Sequence, residues 1–144
     1  MESGGKPRIL VVDDELPFRQ VVVDILEPYG LTVRHAADAP EALGTVRSWK
    51  PDLLLVDVMM PGGCGLALVK RLRAEAKWHR LPVIIVSALA GKSDREAGVQ
   101  AGASAYLTKP FSASDLRQVL RQFVPVVGTA ELQGIQMVAR GDGR

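Results

Sequence analysis

Four short apolar runs in this chain end in polar residues of different chemical kinds: Ile9–Val12 before Asp13-Asp14, Leu53–Val56 before Asp57, Val83–Val86 before Ser87, and Ala105–Thr108 before Lys109-Pro110. Helix-like stretches separate them. Short runs rich in β-branched residues, alternating with helical segments, read as buried strands of a parallel sheet, because helices cover both of its faces. In such sheets the working site lies outside the carboxyl ends of the strands. The pattern therefore gathers three carboxylates, a hydroxyl and an ammonium along one sheet edge. That set reads as a divalent-metal site beside a carboxylate able to carry a phosphoryl group.

The chain has 144 residues, the size of one ordinary domain. Its net charge of +2 makes no whole-molecule case for nucleic acid. A single cysteine, Cys64, excludes an internal disulfide and fits a reducing cytosol. Met1–Gly5 has no apolar segment of the kind that directs secretion. The longest nearly apolar stretch, Leu81–Ala90, is about half a membrane span. A cytoplasmic protein without membrane association is the expectation.

The order reads as five β-α units with no internal linker, an open α/β sheet with helices on both faces. Strands are expected over Arg8–Asp13, Leu31–Ala36, Asp52–Asp57, Pro82–Ser87 and Ser104–Thr108. The second is the most polar and belongs near the sheet margin. Helices are expected over Leu16–Tyr29, from Asp38 to Trp49, over Leu66–Trp78, from Ser93 to Gly102 and over Ala113–Val124. Pro17 falls in the first turn of the first helix, where a missing N–H does no harm, and Gly30 closes that helix. Asp38-x-x-Glu41, Ser93-x-x-Glu96 and Ser112-x-x-Asp115 have capping-box spacing. Trp49 and Trp78 each precede a strand, which puts them at the edge opposite the polar residues. Residues 1–7 are expected as a flexible N-terminus, 8–124 as the domain, and 125–144 as a tail that Pro125 begins, with no output domain expected in it.

Adjacent Asp13 and Asp14 repel, and Asp57 at the same edge adds to the repulsion. Mg²⁺, a hard cation that takes oxygen ligands, resolves it. An acidic loop capping a helix would explain Asp13 or Asp14, but not Asp57 at the end of a buried strand. Lys109 alone would be a solvated lysine; beside three carboxylates it is their counter-ion and a clamp for a phosphoryl oxygen. Ser87 is followed by small Ala88 and Ala90, which leave room for a group docked on Asp57. Other phosphate chemistries are excluded. No Gly-x-x-x-x-Gly-Lys-Ser/Thr segment exists, the first β-α turn Asp13-Asp14-Glu15 would repel a dinucleotide, and no Gly-x-Ser-x-Gly elbow is present. His35 and His79 lack metal-ligand spacing.

Val11-Val12-Asp13-Asp14-Glu15, Leu55-Val56-Asp57-Val58-Met59-Met60-Pro61-Gly62, Val86-Ser87-Ala88 and Ala101-Gly102-Ala103-x-Ala105-Tyr106-Leu107-x-Lys109-Pro110-Phe111 stand in order and in spacing. Together they resemble the receiver domain of two-component response regulators, the CheY-like family. The resemblance covers Arg8–Val124. It implies a flavodoxin-like, doubly wound five-stranded parallel sheet in the order 2-1-3-4-5. It also implies that Asp57 accepts a phosphoryl group from a sensor histidine kinase or phosphotransfer protein. Asp13, Asp14, Asp57 and the backbone carbonyl of Met59 would hold Mg²⁺. Lys109 would pair with the acyl phosphate, Ser87 would swing to a phosphoryl oxygen, and Tyr106 would turn inward. The state would reach a downstream protein through helix 4, strand 5 and helix 5, a surface that could also form a homodimer. Such a switch catalyses only its own phosphoryl transfer and dephosphorylation.

The chain departs from the family at three places. Ser87 stands for the commoner Thr, Met59 for a frequently polar residue, and Cys64-Gly65 for Asp-Gly, which leaves the third helix without a carboxylate cap. Three other readings compete. A receiver-like module could bind partners without phosphorylation, although the complete residue set argues against it. A phosphohydrolase would need an acid where Met59 stands. A nucleic-acid binder would use the basic third helix (Lys70, Arg71, Arg73, Lys77, His79, Arg80), for which a solvated helix face is the simpler account.

Overall fold

Each apolar run becomes a strand in the computed structural model, which describes residues 5–59 and 65–126. The elements are β1 (Arg8–Val12), α1 (Leu16–Leu26), β2 (Thr32–Ala36), α2 (Ala39–Trp49), β3 (Leu53–Val56), α3 (Gly65–Arg73), β4 (Val83–Ser87), α4 (Lys92–Ala101), β5 (Ala105–Thr108) and α5 (Ala113–Arg121). All strand pairs are parallel, and the order is β2-β1-β3-β4-β5, as the resemblance implied. The polar strand β2 is an edge strand.

Alternation along the strands splits the core between two faces. Ile9, Val11, Leu53, Leu55, Ile84 and Val86 pack with Val22 and Leu26 of α1 and Leu116 and Leu120 of α5. Leu10, Val12, Leu54 and Val56 point the other way, toward Val46 of α2, Leu68 and Leu72 of α3 and Ala101 of α4. β1, β3 and β4 are buried on both faces, the condition under which a strand reads as a continuous apolar run.

The capping expectations divide. Asp38 accepts from the Glu41 N–H at 2.9 Å while the Glu41 carboxylate reaches back to the Ala37 N–H, also at 2.9 Å. Ser112 and Asp115 cap α5 reciprocally at 2.9 and 3.0 Å. For α4 the predicted frame is wrong. The helix opens at Lys92, and Asp94, not Glu96, closes its first turn by accepting from the Gly91 N–H at 3.1 Å. The predicted single helices to Tyr29 and Trp78 each break, ending at Leu26 and Arg73 and continuing as 3₁₀ turns Glu27–Tyr29 and Ala76–Trp78. The last helix ends at Arg121, short of Val124.

Arg73 is not part of a solvated basic face. It is half-buried and donates to the carbonyls of Gly102 (2.8 Å) and Trp78 (2.9 Å), tying α3 to the end of α4. Pro7, expected within the flexible N-terminus, is buried, and its carbonyl accepts from the Thr32 N–H at 2.9 Å. Val126, the second residue of the expected tail, packs in the core on the α1 and α5 face. Residues 1–4 of the expected flexible N-terminus, residues 60–64, where a loop was expected, and residues 127–144 of the expected tail lie outside the described residues.

Candidate functional site

Strand register assembles the site. Val12 pairs with Val56 across the β1-β3 ladder, so the next residues, Asp13 and Asp57, leave the sheet side by side. Their backbones stay pinned: Asp57 N–H donates to the Val12 carbonyl (3.0 Å) and Asp13 N–H to that of Ala36 (3.1 Å). Ser87 pairs with Thr108 at the end of β4 and β5, and the Lys109 N–H donates to the Ser87 carbonyl at 2.8 Å. The Lys109-Pro110 peptide is cis.

The side chains converge from there. Lys109 Nζ stands 3.4 Å from Asp13 Oδ2 and 3.4 Å from Asp57 Oδ2. Asp13 and Ser87 are wholly buried and Asp57 nearly so. The second oxygens are also held, Asp13 Oδ1 by the Glu15 N–H (2.8 Å) and Asp57 Oδ1 by the Met59 N–H (2.9 Å). Burial pushes the Asp13 carboxyl above its ordinary range. The Glu15 N–H and the Lys109 ammonium pull it down, and the negative charge of Asp57 pushes it further up. Two buried carboxylates thus share one cation and remain in conflict.

Asp14 is exposed beside this pair, as is the Met59 side chain. Among the described residues no three His, Cys, Asp or Glu side chains stand close enough to enclose a metal ion. The structure brings two of the three predicted carboxylates together and leaves Asp14 on the lip. This donor set fits Mg²⁺ in chemistry: hard oxygens carrying more negative charge than Lys109 balances.

The response regulator receiver domain model matches residues 9–121. The chain belongs to this family. The receiver is 39% identical over 136 residues to the phosphate regulon transcriptional regulatory protein PhoB of Klebsiella pneumoniae, covering 90% of this chain and 59% of that protein. It is 39% identical over 128 residues to the response regulator MprA of Mycolicibacterium vanbaalenii, covering 86% of this chain and 54% of that protein. The chain thus spans less than two thirds of these curated relatives' length. Among solved structures, the Vibrio cholerae chemotaxis protein CheY4 superposes with a TM-score of 0.79 at 29% identity, over 83% of this chain and all of that one. The Francisella response regulator 1452 receiver domain gives 0.75 at 34%, over 81% of this chain and 95% of that one.

Within the receiver, Ser87 and Tyr106 both hold Leu89, the second residue after β4. Ser87 Oγ accepts from the Leu89 N–H at 3.1 Å, and the Tyr106 hydroxyl donates to the Leu89 carbonyl at 2.6 Å. Arg95 of α4 lies 5.2 Å over the Tyr106 ring and donates to Thr108 Oγ1 at 2.7 Å. Gly98 makes the room for that ring, since a Cβ there would meet Ile85 Cδ1 at 3.0 Å and Tyr106 Cδ2 at 3.1 Å.

Sequence reasoning missed three contributors. Phe18, on the first turn of α1, lies under the Lys109 ammonium. Gly65 lets α3 begin against β3, where a Cβ would press on Val56 Cγ1 at 2.8 Å. Leu89 acts through its backbone, for which a sequence carries no signal. An aromatic in the first turn after the acidic pair, and a glycine at the loop-to-helix junction, were available as signals for the other two. No helix among the described residues is long and apolar enough to cross a membrane.

Proposed function

We propose that this receiver is a phosphorylation-dependent switch whose acceptor is Asp57, phosphorylated by a sensor histidine kinase or a phosphotransfer protein. The observation that carries this reading is Lys109 Nζ at 3.4 Å from both buried carboxylates, Asp13 and Asp57. Asp13, Asp14, Asp57 and the Met59 carbonyl would hold Mg²⁺. Bound there, the ion neutralises charge on the transferring phosphoryl oxygens. Asp57 attacks phosphorus; the new P–O bond replaces the P–N bond to the donor imidazole, which leaves. Lys109 follows the negative charge from the carboxylate to the acyl phosphate.

Ser87 exchanges its bond to the Leu89 N–H for one to a phosphoryl oxygen. Released from Ser87, Leu89 frees the Tyr106 hydroxyl, and the ring, already beside Gly98, turns further inward. The change reaches α4, β5 and α5, where Val99 is exposed by 69%, an apolar contact for a partner or a second copy. Phosphorylation biases this equilibrium only as far as it binds the active arrangement better.

PhoB is a transcriptional regulatory protein by name, so control of transcription is the output we assign. In this proposal residues 8–124 contact proteins, not nucleic acid. Acetyl phosphate with Mg²⁺ is expected to add one phosphoryl mass to the intact protein, and EDTA to prevent it. Partner binding indifferent to acetyl phosphate would favour a module that works without phosphorylation.

A further inference from the structure

At the opposite edge of the sheet, α2, the turn into β3 and the 3₁₀ turn after α3 line an open cavity of about 420 Å³. Its walls carry three cations, Arg47, Lys50 and Lys77, against a single carboxylate, Asp52. Asp52 is already engaged, accepting from the Arg8 N–H at 2.7 Å. The Trp78 ring gathers two of the cations, with Arg47 5.9 Å and Lys77 5.7 Å from its centroid. Arg47 has a long contact to Glu75 at 3.9 Å; among the described residues Lys50 and Lys77 have no carboxylate partner. Asp52 and Glu75 offset only part of the three positive charges, and the excess attracts an anion.

Lys50 supplies an independent observation. It ends α2 in the left-handed region, at φ 55°, the only non-glycine residue with positive φ among those described. The other two left-handed helix ends use glycine, Gly30 at φ 83° and Gly102 at φ 109°. Glycine adopts this conformation freely and a side chain does not. A cation near a helix C-terminus would be a sufficient reason for Lys50 if the last turn lacked one, but Arg47 already stands there. The side chain retained at this strained position lines the cavity.

We propose that this cavity is a binding site for a di- or triphosphate group. Arg47 and Lys50 from the end of α2, and Lys77 from the 3₁₀ turn after α3, present charged donors from two elements, which suits a chain of phosphate oxygens. The volume lies within the range of small-molecule sites. The group can come from a nucleotide or from free polyphosphate.

The test uses the full chain and follows tryptophan fluorescence and calorimetric heat on adding tripolyphosphate, ATP and adenosine in parallel. Saturable tripolyphosphate binding is expected, weakened about tenfold by Lys50→Gly and by Lys77→Gln. Lys92→Gln, on exposed α4, should leave it unchanged. Lys50→Gly also relieves the backbone, so its melting temperature should equal or exceed that of the wild type. ATP tighter than tripolyphosphate identifies a nucleotide; equal affinities identify free polyphosphate; both support the site. Four outcomes overturn it: no saturable binding at millimolar ligand, unchanged affinity in Lys50→Gly, adenosine binding as tightly as ATP, or duplex DNA displacing tripolyphosphate, which would mark a polynucleotide surface.

Discussion

The Lys109 ammonium lies 4.0 Å from the centroid of the Phe18 ring, and Phe18 meets Phe111 edge-on at 6.0 Å. α1 and the segment after β5 thus hold one cation between an aromatic face and two carboxylates. A cation-π contact at a largely buried site contributes about 1 kcal/mol. Phe18→Leu keeps the apolar volume and removes the ring quadrupole. Phosphorylation of Phe18→Leu by acetyl phosphate should slow about fivefold, while Phe18→Tyr stays near wild type. Equal rates for Leu and Tyr would show that the ring only fills space.

Asp13 links the site to pH. Its carboxyl titrates above 3.8 when folded, so between that value and the raised one the native state binds more protons than the unfolded chain. This contribution to stability is complete below about pH 4 and is lost as pH rises through the folded value. Asp13→Asn removes the titration and keeps an oxygen for the Glu15 N–H. In urea titrations without Mg²⁺, the variant should gain about 1 kcal/mol over wild type at pH 7 and little or nothing at pH 4. Added Mg²⁺ should stabilise the wild type and leave the variant unmoved. A gain independent of pH would remove burial of charge as its cause.

The relay rests on Leu89, gripped by Ser87 and Tyr106 together. Ser87→Ala should leave Asp57 phosphorylatable while abolishing phosphate-dependent amide shifts in residues 92–100 and 115–122. Gly98→Ala puts a methyl group against Tyr106 and should reduce the same shifts without touching the acceptor. Shifts confined to the loops after β1 and β3 would leave Tyr106 as a packing residue.

Arg73 carries structural weight that its neighbours Lys70 and Arg71 do not, since it satisfies the Gly102 and Trp78 carbonyls from a half-buried position. Arg73→Met should destabilise the protein by about 2 kcal/mol, and Arg71→Met by less than about 0.5 kcal/mol, in thermal or urea unfolding. Comparable losses for both would return Arg73 to the solvent-facing group.

Strands were legible because β1, β3 and β4 are buried on both faces and so appear as unbroken apolar runs. The polar residue after each strand was legible for the same reason. Helix frames were less so: Gly91-x-x-Asp94 and Ser93-x-x-Glu96 overlap, and only the extended backbone at Gly91 selects the first. The break after Arg73 depends on carbonyls far along the chain, which no local pattern displays. At the site, register explains why Asp13, Asp57, Ser87 and Lys109 were all found. The exposed position of Asp14 and the role of Leu89 depend on loop backbone, and periodicity says nothing of either.

The central claim is that Asp57 is the acceptor, and intact-mass measurement after acetyl phosphate treatment of wild type and Asp57→Asn tests it most directly. Wild type with Mg²⁺ should gain a single phosphoryl group, labile to hydroxylamine as an acyl phosphate is, and Asp57→Asn should gain none. Stoichiometric labelling of Asp57→Asn, or a label on wild type that resists hydroxylamine, would contradict the account.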